Sequence, residues 1–365
     1  MLFILNILMF IVPAIVSLII HNYLRHGEML GKRKAIFFVV YLLLLNAITY
    51  GVSWARGVRS LDFSHMTISY RLKFMGLGAL LGFIVPFVVC LLTEDIITIG
   101  GFVRYGKRFT KDLRKYMPYA IWAAKSDLGA EVASSYLNWL WWLIEPFCMM
   151  IIYTVIFGYV FKASEQYFPV FIFTGITMWG FFSRSVNGSV NTVRNGKDII
   201  TKIYMPKYIL LLSKMFVNGF KMMVSFGVIA VMMLVFRVPI NWNVIWMIPI
   251  LAVLFLFTFG VGSIMMHYGV YVNDLGYITG IVLQMMMYLS GVFYKISKRI
   301  PEPFGEMIEN FNPVALLISS MRSAIMYQET PRLGIIAVWG FISLVLMALG
   351  VFTIYSNENS YVKVI

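Results

Sequence analysis

The chain has 365 residues, of which 60% are hydrophobic and 13% charged. Soluble globular proteins run at about 45–50% apolar and about 25% charged, so a soluble globular fold and a disordered chain are both excluded. The 30 Lys and Arg against 16 Asp and Glu leave a net charge of +14, read in a membrane protein as basic loops facing anionic lipid, not a nucleic-acid surface.

The start, MLFILN, has no basic n-region, and no small-x-small site closes the run that follows, so 2–20 reads as a retained first span. Nine charge-poor runs are candidate helices: 2–20, 35–54, 74–93, 138–161, 169–190, 208–236, 243–272, 275–294 and 333–355. At about 20 apolar residues per crossing, they predict an all-α polytopic membrane protein of about nine transmembrane helices. The runs are continuous rather than alternating, which argues for helices over a barrel. Runs 74–93 and 275–294 carry no charge at all and are the strongest of the nine. Composition then divides the chain into a three-helix membrane extension over 1–93, a basic amphipathic connector over 94–137, and a six-span core over 138–365. Placing the connector in the cytoplasm gives a modest positive-inside bias, with the N-terminus outside and Lys363 inside; four basic residues in 55–73 oppose it.

Nucleotide and metal chemistry find no support in the motifs. There is no GxxxxGK[ST] phosphate loop, no GxSxG nucleophile elbow, and no paired spacing among His21, His26, His65 and His267. Cys90 and Cys148 lie in apolar runs and suggest neither a disulfide framework nor a metal site.

In the connector, Pro118 suits the first turn of a helix. Ile121, Leu128 and Val132 then share one face, with Trp122 beside them and Lys125, Asp127 and Glu131 elsewhere. That pattern predicts a helix lying in the membrane plane, its plain alternative being a basic loop with an aromatic belt. Glu145, just before Pro146, is an ionisable group near the end of a span. It is either functional or a carboxylate hydrated at the interface. The polar run 183–191 lines a cavity or packs on other helices, because it cannot face lipid. The segment 194–207, bounded by Gly196 and Pro206, reads as a compact charged helix suited to docking a soluble partner, or as an ordinary basic loop. The loop 295–332 holds two apolar patches too short to span, so two short re-entrant or interfacial helices are expected there, with Arg322 paired to a Glu of the same loop or meeting a lipid phosphate.

Four pieces in register carry a resemblance: KSDLGAEVASSYLNWLWWLIEP, RNGKDIITKIYMPKYILLLSKM, VNDLGYITGIVLQMMMYLSGVFY and ENFNPVALLISSMRSAIMY. Over about 110–365 the chain resembles the ATP-binding-cassette permeases that export lipid-linked polysaccharides such as O antigen, capsule or teichoic acid. The resemblance implies a homodimeric, multi-pass permease of the bacterial cytoplasmic membrane, with no catalytic residue, metal or cofactor of its own. A separate ATPase subunit would hold ATP and Mg. It also implies ATPase docking by Arg194, Lys197, Asp198, Lys202, Asn273 and Asp274, and an outer gate at Asn312, Pro313 and Arg322. Tyr153, Phe157, Trp179, Phe181 and Phe182 become candidates for an aromatic sugar pathway, and Trp122, Lys125, Asp127 and Glu145 for interfacial contacts with lipid and substrate. The three extra N-terminal spans depart from the family pattern. The rival reading is a membrane-embedded acyl- or glycosyltransferase acting on the same lipids, which would need clustered His, Asp or Glu on facing helices. A structural or channel-forming membrane protein is the third.

Overall fold

The computed structural model describes residues 11–21, 31–55, 85, 99–133, 136–160, 165–239, 241–301, 304–358 and 360–361, and among them every regular element is helical. The chain forms two compact units, Met1–Gly101 and Phe102–Ile365. In the first, α1 (Ile11–His21) and α2 (Gly31–Ala55) are apolar helices. Ala14, Tyr41 and Leu45 are buried together, with Phe37, Phe38 and Leu42 against them. The Tyr41 hydroxyl hydrogen-bonds His21 Nδ1, which satisfies two polar groups in an apolar setting. The span expected over 74–93 lies outside the described residues, apart from helical Val85.

The second unit carries the remaining helices. The amphipathic helix α3 (Ile99–Val132) holds Pro118 in its interior, so it starts well before the position expected for it. Its inward face explains the continuity: Phe109, Leu113, Tyr116, Met117, Ala120 and Ala124 recur at helical spacing and pack inward, and tertiary packing outweighs the one hydrogen bond that proline removes. The apolar face is therefore displaced from expectation. Ile121 is exposed, and Ala120 and Ala124 are the buried residues.

Next come α4 (Trp141–Tyr153), which runs into a π-helical turn over Thr154–Val160, and α5 (Phe168–Val190). Two single turns follow, α6 (Thr192–Asn195) and α7 (Lys197–Ile200), and then α8 (Tyr208–Val235), α9 (Met247–Tyr271) and α10 (Leu275–Leu289). A one-turn α11 (Ile296–Arg299) leads to α12 (Phe304–Phe311), α13 (Pro313–Ile325) and the last long helix, α14 (Leu333–Ser356). Among the described residues, four stretches are long and apolar enough to cross a membrane: Trp141–Gly158, Tyr208–Val235, Trp242–Tyr271 and Leu333–Ser356. The protein is a polytopic, all-helical membrane protein.

Helix α5 is the hub. It packs on α4, α8, α9, α10 and α13 and buries most of its residues, so Ser185 and Ser189 face protein rather than lipid. The most extensive helix pair is α9 with α14, which approach closely through small residues. A Cβ on Gly260 would lie 2.8 Å from Met347 N, and one on Gly350 would lie 2.6 Å from Ser263 Cβ. Small-residue seams of this kind let apolar helices gain packing where the surrounding solvent is itself apolar.

Two expected elements are shorter than their sequence suggests. The uncharged run 275–294 forms a helix only to Leu289, because Gly291 takes φ +65 and turns the chain. Its 15 residues span about 22 Å at about 1.5 Å each, below the ~30 Å of a bilayer core. Segment 194–207 is not one compact helix but two single turns and an extended stretch. The break falls at Gly196, where a side chain would meet Leu210 Cδ1 at 2.8 Å and Thr192 O at 3.1 Å.

Candidate functional site

At one end of the bundle the chain leaves α5, makes the turns α6 and α7, and returns through α8. Arg194 Nη2 donates to Val270 O at 3.0 Å, tying α6 to the end of α9. The crossing is close, since a Cβ on Gly269 would lie 2.0 Å from Val190 O. The tertiary structure thereby brings together two pieces far apart in sequence: the turn at 195–203 and the turn at Asn273–Asp274. Lys197, Asp198, Lys202, Asn273 and Asp274 are all exposed, as are the apolar Ile199, Ile203 and Tyr204. Arg194 differs from the rest in being half-buried and committed to the backbone. This is a mixed charged and apolar surface with a rigid anchor, a chemistry that suits protein docking.

Behind that surface lies an ion cluster that motif reasoning did not find. Glu358, at the end of the chain's last helical turns, meets Lys207 Nζ at 3.5 Å and Arg108 Nη2 at 3.0 Å. Arg108 also pairs with Asp112 at 3.5 Å, donates to the Tyr204 hydroxyl, and lies 4.5 Å over the Tyr355 ring. Tyr355 donates to Asp112 Oδ2 at 2.7 Å. Burial and the neighbouring Glu358 push the Tyr204 phenol up to about 12, so it remains a neutral donor and acceptor at physiological pH. The cluster joins α3, the 204–208 segment and α14. Its only trace in sequence is separate charges in separate segments, which nothing local links. Glu358→Gln is expected to leave the buried Lys207 ammonium without its counter-charge. The expected loss is about 1–3 kcal/mol of stability, read as a lower melting temperature in detergent, with Asp198→Asn unchanged as the exposed control.

At the opposite end, Asn312 accepts from Val314 N at 3.1 Å and Ala315 N at 3.2 Å, capping α13 with Pro313 in its first turn. Its amide donates to Ser290 Oγ at 2.8 Å, which fixes α13 to the end of α10. Arg322 departs from both expectations. Among the described residues it pairs with no Glu of its loop, and it does not reach outward. It is buried, donating to Phe171 O at 3.2 and 3.0 Å, Gly291 O at 2.7 Å and Val292 O at 2.8 Å, with its guanidinium 3.4 Å over the Phe171 ring. The cause is the early end of α10: the turn at Gly291 frees carbonyls that a planar, five-donor group can satisfy together. Burial lowers the Arg322 pKa to about 9, which leaves it charged at neutral pH. Glu309 instead bonds Ser319 and lies 3.8 Å from Arg332, and Glu165 takes Lys298 at 2.9 Å and the Tyr327 hydroxyl at 3.2 Å.

The aromatic candidates separate. Trp179, Phe181 and Phe182 are buried in interhelical packing, where Phe181 stacks on Phe255 and Phe182 on Phe257. Tyr153 and Phe157 are less enclosed and meet Phe293, each at 4.9 Å. On α3, Trp122, Lys125 and Asp127 are exposed, away from the packed face. Glu145 faces Arg184 of α5 at 3.9 Å across an open cleft between α4, α5 and α8.

The chain is similar to the O-antigen export system permease protein RfbA of Klebsiella pneumoniae, 29% identical over 225 residues that cover 61% of this chain and 86% of that protein. It is also similar to the O-antigen export system permease protein RfbA of Myxococcus xanthus, 25% identical over 222 residues covering 61% and 85%. Residues 129–326, more than half of the chain, match the ABC-2 type transporter family. The matched stretch runs from the end of α3 through α13, and takes in the exposed turns, the cleft and the buried arginine. The chain belongs to the ABC-2 type transporter family.

Proposed function

We propose that this protein is the transmembrane subunit of an exporter that moves a lipid-linked polysaccharide of the O-antigen class across the bacterial cytoplasmic membrane. In this reading a second copy completes the pathway, and a separate ATPase subunit supplies ATP, Mg and the driving force. The relatives named as O-antigen export permeases, aligned over most of their own length, support the substrate class. The observation that carries the mechanism is the exposed surface formed by Lys197, Asp198 and Lys202 beside Asn273 and Asp274. It sits on a segment anchored to α9 by Arg194 and backed by the Glu358 cluster. A push on that surface reaches α3, α8, α9 and α14 together. This end of the bundle is the cytoplasmic end, and Asn312, Pro313 and Arg322 hold the α12–α13 pair over the outer mouth. Tyr153 and Phe157 offer ring faces on which sugars stack, and Trp122, Lys125 and Asp127 meet the headgroup layer.

The test is reconstitution of the permease with its ATPase subunit in proteoliposomes. Replacing Lys197, Asp198 and Lys202 together with Ala is expected to weaken assembly roughly tenfold or more, as loss of a hot-spot group does, and to remove glycan export while membrane insertion is kept. Unchanged assembly and unchanged export in that variant would overturn the docking assignment.

A further inference from the structure

The spans contain three cations, Arg184, Lys214 and Lys221, that a lipid-facing helix would not tolerate. Two of them, Arg184 of α5 and Lys221 of α8, line an open cleft whose third wall is α4. Both have carboxylate partners on the remaining elements. Lys221 Nζ lies 2.6 Å from Glu131 Oε2 of α3, and Arg184 Nη2 lies 3.9 Å from Glu145 Oε1 of α4. The second pair is long, with side chains 50% and 63% exposed, so it is a weak bond.

A second observation points to a ligand. Thr177 lines the same cleft, is 7% exposed, and its Oγ1 is buried with no hydrogen-bond partner among the described residues. Thr174, one position round the same helix, bonds the carbonyl four residues back in the ordinary way. Thr177 therefore leaves a spare hydroxyl in the same cleft lining as the two cations. Among the donors facing the cleft, Asn218 is already engaged with Ser185 Oγ at 3.0 Å.

The cleft also lies at a definite depth. Its α4 wall is formed by Trp142, Glu145 and Pro146, the first turns of the Trp141–Gly158 stretch that is long and apolar enough to cross a membrane, so the cleft opens near one end of that stretch. At Lys221 the end of the amphipathic helix α3 arrives through Glu131, which also accepts from the Trp142 indole at 3.3 Å. An amphipathic helix end and a Trp indole mark headgroup level. Phe220 and Met223, flanking Lys221, are exposed apolar side chains on which acyl chains can lie.

We propose that the cleft between α4, α5 and α8 binds the phosphate of a lipid headgroup, which takes Arg184, Lys221 and the Thr177 hydroxyl in place of Glu145 and Glu131. The inference rests on the exporter reading only for which lipid is carried; the phosphate site stands on the geometry. Neither carboxylate is consumed: each is released toward water as the anion enters, so the two ion pairs act as a latch.

The experiment uses the full chain in phosphatidylcholine nanodiscs doped with photoactivatable phosphatidic acid, or with phosphatidylcholine bearing the same diazirine acyl chain. Phosphatidic acid is expected to label α4 and α8 peptides roughly fivefold more. Replacing Arg184 and Lys221 with Gln should reduce that to the phosphatidylcholine level, whereas Glu145→Gln should raise it by freeing Arg184. The opposite directions separate charge from folding, because a misfolded cleft would lose labelling in both variants. Equal labelling by the two lipids, or a fall in Glu145→Gln, would overturn the site. Protection by inorganic phosphate at the probe's own concentration would overturn the lipid source. Absence of glycan export by the parent protein reconstituted with its ATPase subunit in proteoliposomes, with labelling intact, would count against the exporter reading and leave the site standing.

Discussion

Arg322→Ala is expected to unfold or severely weaken the second unit rather than merely slow transport. The substitution removes one cation and strands the carbonyls of Phe171, Gly291 and Val292, which Arg322 joins across three parts of the chain. Each buried acceptor left unmade costs about 1–3 kcal/mol, so the total is on the order of 3–5 kcal/mol after partial relaxation. Lys in its place brings a single point of charge and lacks the planar fork, so Arg322→Lys should recover only part of the loss. Gly175 sets the space available: a Cβ there would lie 2.5 Å from Arg322 Nη2. The check is the melting temperature in detergent together with yield of monodisperse protein. A variant that melts like the parent while export is lost would assign Arg322 a direct role in the pathway instead.

Gly269→Ala is expected to be the next most damaging single change. The added methyl would sit 2.0 Å from Val190 O and 2.7 Å from Val190 C. Both are backbone atoms, so no side chain can move aside. Overpacking of this kind costs about 1–3 kcal/mol and occasionally more, and a backbone clash belongs at the upper end. Its effect on function should exceed its effect on stability, because the crossing it separates is the one that sets the turn at 195–203 beside Asn273–Asp274. Coupling to the proposed ATPase subunit is therefore expected to fall further than the melting temperature alone would account for. Gly227→Ala is the matched control. Nothing lies within 4 Å of a Cβ at that position of α8, and exchange of Gly for Ala inside a helix gains about 0.5–1 kcal/mol. If Gly269→Ala behaves like Gly227→Ala, the close crossing of α5 and α9 is not maintained in the membrane.

Length, hydropathy and the positions of charge were sufficient for the helical, polytopic class, because a lipid solvent forces backbone hydrogen bonds inside each span and forces apolar composition on whatever faces it. The runs 208–236 and 333–355 became α8 and α14 almost residue for residue. The two short helices expected between 295 and 332 are there as α12 and α13, since three prolines and a scatter of charge leave no spanning length. The polar run after Ser183 was legible as something that could not face lipid, though not as the inner face of the hub helix. Composition reports how a helix meets its solvent. It says less about α5, whose solvent is other helices.

What only the tertiary structure decided is where unpaired chemistry goes. Arg322 read as a charge in search of a Glu or a phosphate, and it is satisfied by carbonyls that exist as acceptors only because α10 stops at Leu289 and turns at Gly291. Glu358, Lys207 and Arg108 are 250 residues apart at the extremes and carry no shared motif. They meet because α3 passes beside the start of α8 and the end of α14. Pro118 looked like a helix start and is an interior residue, because the packed face of α3 holds the helix through it. The aromatic residues of 179–182 looked suited to a pathway, and the crowding of α5 made them core. In each case the deciding energy is between segments: the desolvation of a polar group or the filling of a gap, set by which backbone atoms another helix brings within 3 Å. A sequence states what each residue needs, and the fold determines which neighbour supplies it.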